Sequence, residues 1–157
     1  MKGEDTLDET VYIIGHSNRS FRELLEILKA HNVKILVDVR RFPKSRRAPW
    51  TESSKLKEHL EREGISYTWL GDLLGGFRSG GYKAYTETED YKKGLEKLIT
   101  IINENPEPVA LMCKEKLWLK CHRRFISDSL TQLGYKVIHI IDEDKVYMHK
   151  GGGAAGI

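Results

Sequence analysis

The sequence predicts a single α/β domain of three layers, α/β/α, around a mainly parallel sheet, and three observations carry that expectation. Apolar, β-branched runs at residues 11–15, 35–39, 109–113 and 137–141 alternate with amphipathic helical segments through short connections, the pattern of right-handed β-α-β crossovers. The runs are almost continuously apolar, as in strands covered on both faces. At 157 residues the chain has enough material for one core without disulfide or metal staples.

Taken in order, the first strand ends at Gly15 and feeds a turn at His16, Ser17 and Asn18, where Ser17 and Asn18 can cap the first helix. Ser20 and Glu23 have capping-box spacing, and Phe21, Leu24, Leu25 and Leu28 recur every three or four residues to give one apolar stripe. The second strand holds a lone acid, Asp38. Residues 40–49 carry two prolines, and the five positive side chains from Arg40 to Arg47 have no acid among them, so the segment reads as an exposed, anion-attracting loop. Ser53 or Ser54 caps a helix through about Glu63, with Leu56 and Leu60 facing inward and Gly64 ending it. Residues 65–69 alternate as a strand. Gly75, Gly76, Gly80 and Gly81 then make 74–85 a tightly turning or mobile segment. A second capping box spans Thr86 to Glu89, and Tyr91, Leu95, Leu98, Ile99 and Ile102 form a helical stripe that stops before Pro106 and Pro108. After the strand at 109–113, residues 120–133 read as a helix burying Phe125, Ile126, Leu130 and Leu133 and ending at Gly134. Residues 137–141 form a strand, 142–144 a turn and 146–148 an edge strand. Residues 1–10 read as a loose polar tail and 150–157 as a flexible one, which leaves 11–149 as the domain.

Composition narrows the function classes. No apolar run approaches the roughly 20 residues that cross a bilayer, so no membrane association is expected. The net charge of +3 is too small for a general nucleic-acid binder, because acids balance bases along the whole chain. Residues 1–10 lack the basic-then-apolar layout of an export signal, and two cysteines are too few for a secreted disulfide framework. A cytoplasmic location is expected. The sequence names no cofactor and sets no oligomeric state.

Parallel sheets hold their ligands at the carboxyl ends of the strands, which is where His16, Arg40 and Cys113 fall. Cys113 closes a strand ahead of a helix whose exposed N–H groups favour an anion, a setting that lowers a thiol pKa. It reads as readily as a small buried hydrophobe. Glu115, Cys121, His122, Arg123 and Arg124 come after it. Arginines in a first helical turn oppose the helix dipole, so a bound anion would account for Arg123, while Arg124 reads as solvated. His139 reads as a hydrogen-bonded core residue, and His31, His59 and His149 carry no signal. Asp38 must be paired, and the neighbouring Arg40 is its expected partner. Arg46 and Arg78 come from segments able to fold over the strand ends and clamp phosphate or carboxylate.

These motifs in order resemble the family called domain of unknown function 488: Ile14-Gly15-His16-Ser17, Val37-Asp38-Val39-Arg40 with Pro43 and Ser45-Arg46, Gly64-Ile65 with Tyr67, Leu74-Gly75-Gly76 with Arg78, Met112-Cys113 with Glu115, and Cys121-His122-Arg123. The resemblance covers about Val11 to His139 and reinforces the fold and the site without supplying a reaction. With it, the candidate catalytic residues are Cys113, His16, Glu115 and His122. The candidate ligand-binding residues are Ser17, Arg40, Ser45, Arg46, Gly75, Gly76, Arg78, Cys121 and Arg123. A weaker likeness is to rhodanese-type sulfurtransferases, which also combine an Asp-Val-Arg strand with a strand-end cysteine before a helix.

Three functions are compatible with these residues. The first is an enzyme, a cysteine-dependent hydrolase or transferase, acting on an anionic, phosphate- or nucleotide-like molecule. It would use Cys113 as nucleophile, His16 or His122 as base, and Arg40, Arg46, Arg78 and Arg123 as clamps. The second is a nucleic-acid binding module that stacks bases on Trp50, Tyr67 or Trp69. The third is a metal site of His16, Cys113, Cys121 and His122, although Cys113 and Cys121 lack zinc-finger spacing.

Overall fold

A computed structural model describes residues 10–43, 49–76, 78–114 and 122–150. Its strands are β1 (Thr10–Gly15), β2 (Ile35–Asp38), β3 (Ser66–Trp69), β4 (Val109–Cys113), β5 (Lys136–Asp142) and β6 (Lys145–Met148). They form one sheet in the order β3-β2-β4-β1-β5-β6, parallel throughout except for β6, which runs antiparallel to β5. Order was not legible in the sequence, since apolar periodicity says which face a residue takes and nothing about which strand lies beside it. The expected tails at 1–9 and 151–157 lie outside the described residues, and β1 begins one residue before the expected boundary.

Helices cover both faces. On one face lie α1 (Phe21–Ala30) and α2 (Ser53–Arg62), whose Leu24, Ile27, Leu28, Leu56 and Leu60 pack with Ile14, Leu36, Ala110 and Met112. On the other lie α5 (Glu89–Asn103) and α6 (Arg123–Gln132), whose Tyr91, Leu98, Ile102, Ile126 and Leu130 pack with Val11, Ile13, Val37, Leu111 and Val137. The odd and even residues of each central strand thus divide between two cores, as the twofold alternation of a strand requires. The three-layer arrangement is the expected one. Among the described residues no helix is long and apolar enough to cross a membrane.

The first helix starts at the expected capping box, and the other helix starts depart from the expected ones. Ser20 caps α1 with the full capping box: its hydroxyl accepts from Glu23 N at 3.1 Å and Glu23 Oε1 accepts from Ser20 N at 2.7 Å. That leaves Ser17 and Asn18 in the preceding turn, and Ser17 N donates instead to Lys114 O at 2.8 Å. Neither Ser53 nor Ser54 caps α2. Glu52 does, because its carboxylate accepts both Lys55 N and the Ser54 hydroxyl. The cap of α5 is Thr88, which accepts from Tyr91 N, while Thr86 gives its hydroxyl to Lys83 O. Helix α6 begins at Arg123 rather than 120, and Leu133, expected inside, lies just past its last turn and is 55% exposed.

The glycine-rich segment is more ordered than expected, with α3 (Gly71–Leu74) and α4 (Tyr82–Tyr85). Gly71 packs directly against the Arg40 carbonyl and Gly75 against the backbone of Arg41, with no room for a Cβ at either. Alanine at Gly71 is therefore expected to destabilise the chain by about 3 kcal/mol or more through backbone displacement. Alanine at Gly64, a helix end with φ +81° and open space around it, is expected to cost only about 1 kcal/mol. Urea unfolding of the two variants measures the difference, and equal losses would mean that the close approach at Gly71 is unimportant.

Candidate functional site

At the carboxyl end of β2, Asp38 is fully buried and gathers four donors. Arg40 approaches it with its backbone N–H (3.0 Å), Nε (2.9 Å to Oδ1) and Nη2 (2.6 Å to Oδ2), and Tyr67 donates its hydroxyl to Oδ2 at 2.5 Å. Such a bidentate pair is the arrangement in which buried charges are tolerated, since each lone pair is answered. Burial disfavours the Arg40 charge, but Asp38 outweighs it and holds the guanidinium pKa above its ordinary value. Burial, then Asp38, raises the Tyr67 hydroxyl, which stays protonated as a donor. The pairing of Asp38 with Arg40 is the one the sequence suggested. Tyr67 as a third member was missed, because the strand order that sets it beside Asp38 is not carried by apolar periodicity.

Arg40 also reaches sideways, donating from Nη2 to Thr51 O at 2.6 Å and placing Nη1 3.5 Å from His16 Nε2. The His16 ring is buried, edge-on to Trp50 at 6.0 Å. Its Nδ1 lies 3.0 Å from Ser17 O, and because a carbonyl only accepts, Nδ1 carries the proton and Nε2 turns a lone pair toward Arg40. Burial and the Arg40 charge lower the His16 pKa to about 4, so the ring is neutral at pH 7.

Cys113 lies at the same end of the sheet but on its other face. His16 N donates to Cys113 O at 2.8 Å, so the two backbones adjoin. The Cys113 side chain packs in the core with Val39, Leu111 and Ile126, whereas His16, Asp38 and Arg40 belong to the side of Trp50 and Met112. His122, ahead of α6, is on the Cys113 side: its Nε2 donates to Val39 O at 3.1 Å, and its ring meets Tyr82 at 5.0 Å and the backbone of Gly76. With Nε2 as donor, Nδ1 is the basic nitrogen of the neutral ring.

Arg78 is drawn to carbonyls: Nε donates to Gly75 O and Nη2 to Asp72 O, at 2.8 and 2.7 Å, and the guanidinium lies 4.1 Å over the Tyr85 ring. It closes the end of α3, and Gly75 and Gly76 serve close backbone approach. Ser45, Arg46, Glu115 and Cys121 lie outside the described residues, as does the side chain of Arg123. Trp69 gives its indole N–H to Arg40 O at 2.7 Å. Among the described residues no three His, Cys, Asp or Glu side chains are grouped to hold a metal.

His149 corrects an expectation, because it is buried rather than featureless. Its Nε2 donates to Asp128 Oδ1 at 2.6 Å, and its Nδ1 lies 2.9 Å from His139 Nε2. The acid fixes both tautomers in turn and joins the chain after β6 to α6 and β5. The buried, hydrogen-bonded His139 is as expected.

Unfolding measurements test both parts of this cluster. Asp38→Ala leaves the Arg40 guanidinium buried without its carboxylate and is expected to cost about 3–5 kcal/mol in urea unfolding, against about 1 kcal/mol for Tyr67→Phe; similar small losses would show the pair to be solvated. His16 binds its proton near pH 4 when folded and near its ordinary 6.5 when unfolded. The unfolded chain therefore holds the extra proton between those values. Stability is full above about pH 6.5 and falls as pH drops toward 4, by on the order of 3 kcal/mol. His16→Gln is expected to flatten that slope in urea midpoints taken from neutral pH downward, and an unchanged slope would assign it to other groups.

No curated protein and no solved structure matches the chain, so the likeness to rhodanese-type sulfurtransferases has no finding behind it. A family model does match. It is described as a domain of unknown function and spans residues 20–130, which takes in Asp38, Arg40, Tyr67, the Gly75-Gly76 turn, Cys113 and His122. On that match, over most of its length, the chain belongs to the DUF488 family.

Proposed function

We propose that the chain is a cysteine-dependent enzyme acting on an anionic, phosphate-bearing small molecule held at the carboxyl ends of β2, β4 and β1. The observation that carries this reading is how the chain parts there. The helices that follow β1 and β2, α1 and α2, lie on one face, and α6, which follows β4 between them, lies on the opposite face. Diverging connections of this kind open a crevice at the strand ends of parallel sheets, where ligands bind.

Cys113 and His122 both lie on the α6 side of the sheet, so His122 suits the role of base better than His16, which is neutral, buried and turned toward Arg40. In this reading the Cys113 thiol passes its proton to His122 Nδ1 and the thiolate attacks phosphorus. An S–P bond forms as the P–O bond to the leaving group breaks, and the proton passes to the departing oxygen. Water then cleaves the S–P bond and frees the phosphate. The proposed phosphate-binding cations are those of the loop after Arg40, including Arg46, and Arg123. Arg40 itself acts from behind, since Asp38 holds most of its donors. Arg78 adds field more than contact for the same reason.

Alkylation by iodoacetamide, followed peptide by peptide so that Cys121 is read separately, tests the proposal. Cys113 is expected to reach its half-maximal rate below the ordinary thiol value of about 8.5 and to be slowed by inorganic phosphate. His122→Ala is expected to move the profile upward. A Cys113 that stays inert to about pH 9 and ignores both phosphate and His122 would overturn the reading.

A further inference from the structure

We infer that β6 is the seam of a homodimer, in which two copies pair their β6 strands antiparallel about a twofold axis at Tyr147 and extend one sheet into the other. Strand β6 is the last of the sheet, and all four of its residues are exposed: Val146 and Met148 each 51%, Tyr147 40%, and Lys145 with them. A hydrophobic edge strand with an open backbone is a template for another strand.

The backbone decides which template it is. His149 N donates to Val137 O at 2.8 Å, and β6 pairs with β5 as Met148 with Ile138, Tyr147 with His139 and Val146 with Ile140. In an antiparallel ladder, inward and outward residues alternate. His149 and Tyr147 therefore turn their backbone groups toward β5, while Val146 and Met148 turn theirs outward.

A second β6 must match outward groups to outward groups. Centred on Tyr147, the pairing sets Val146 beside the partner's Met148, Tyr147 beside its own copy, and Asp144 beside the partner's Lys150. Val146 and Met148 share one face of β6, since alternate residues do, and Asp144 in the turn before the strand and Lys150 after it flank them. Along that seam the contact reads ion pair, apolar pair, apolar pair, ion pair, and it is self-complementary, as a twofold interface requires. The neighbouring registers fail this test. Centring on Val146 sets Asp144 against Met148, and centring on Met148 sets Lys150 against Val146. The charges thus select one register among those the backbone allows.

Sedimentation equilibrium on the full chain tests the inference. A concentration-dependent dimer is expected. Asp144→Lys and Lys150→Asp should each weaken it about tenfold, because each creates two like-charge pairs by symmetry. The two changes combined should restore it. Tyr147→Cys should give a covalent dimer without reductant, with the crosslink mapping to residue 147 of both copies, because a non-hydrogen-bonded antiparallel pair brings its Cβ atoms within disulfide reach. All these positions are exposed, and urea midpoints unchanged at concentrations where the chain is monomeric will confirm that the variants fold. A monomeric mass at the highest soluble concentration, or a dimer that neither charge reversal weakens, would overturn the inference.

Discussion

The buried pair of Asp38 and Arg40 constrains more of this molecule than any other single contact. A carboxylate with no exposed surface at a strand end must be answered at every lone pair, and Arg40 answers it with its backbone N–H, Nε and Nη2. The chain therefore turns tightly after β2 and brings the Arg40 side chain back over its own strand. The turn then has to be held. Trp69 donates to Arg40 O from one side, Gly71 packs against the same carbonyl, and Thr51 O takes another guanidinium proton. Tyr67, Trp69 and Gly71 are consecutive in this packing because β3 lies alongside β2 and the chain after it folds over the same end. A polar requirement at one residue thus explains the local form of three segments.

Much of the rim was legible because its signals are local. A lone acid in an apolar strand demands a partner, an arginine two residues on has the reach, and parallel strands place their ends together. The partners that were not legible are distant in sequence and share no pattern with the groups they meet. Nothing around Tyr67 announces a hydrogen bond to residue 38, and nothing around His149 announces Asp128 and His139. Those contacts depend on strand order and on the fold-back of β6, which periodicity does not encode. The helix caps differ for another reason. Serine and threonine are good caps, but the Ser54 hydroxyl donates to the Glu52 carboxylate that caps α2, and the Thr86 hydroxyl donates to Lys83 O while Thr88 holds the extended backbone of a cap.

The expectation of one pocket shared by Cys113, His16 and Arg40 takes a different form in three dimensions. The strand ends do meet, and the backbones of His16 and Cys113 are hydrogen-bonded. Yet their side chains occupy opposite faces, because Cys113 pairs with Gly15 and neighbouring residues on a strand alternate. A roll of strand-end residues conceals this parity. It matters chemically, since it divides the polar groups into two sets. One, with His16, Asp38, Arg40 and Tyr67, is closed on itself and neutral overall when His16 is unprotonated. The other, with Cys113 and His122, stands beside the glycine-rich turn and the start of α6.

That division suggests why the closed set is built so heavily. Under the proposed function, a reactive thiol at the rim of the sheet would need a backbone that does not shift when a charged ligand arrives, and main-chain groups at the ends of β1, β2 and β4 are what that ligand would meet. Val39 carries the point: its N–H is bonded to Met112 O and its carbonyl accepts from His122, while the residues on either side of it are locked in the ion pair. His122 is therefore oriented by a peptide unit that the Asp38–Arg40 pair holds in place from the opposite face. The two polar sets are thus joined through one residue of backbone although their side chains lie on opposite faces of the sheet.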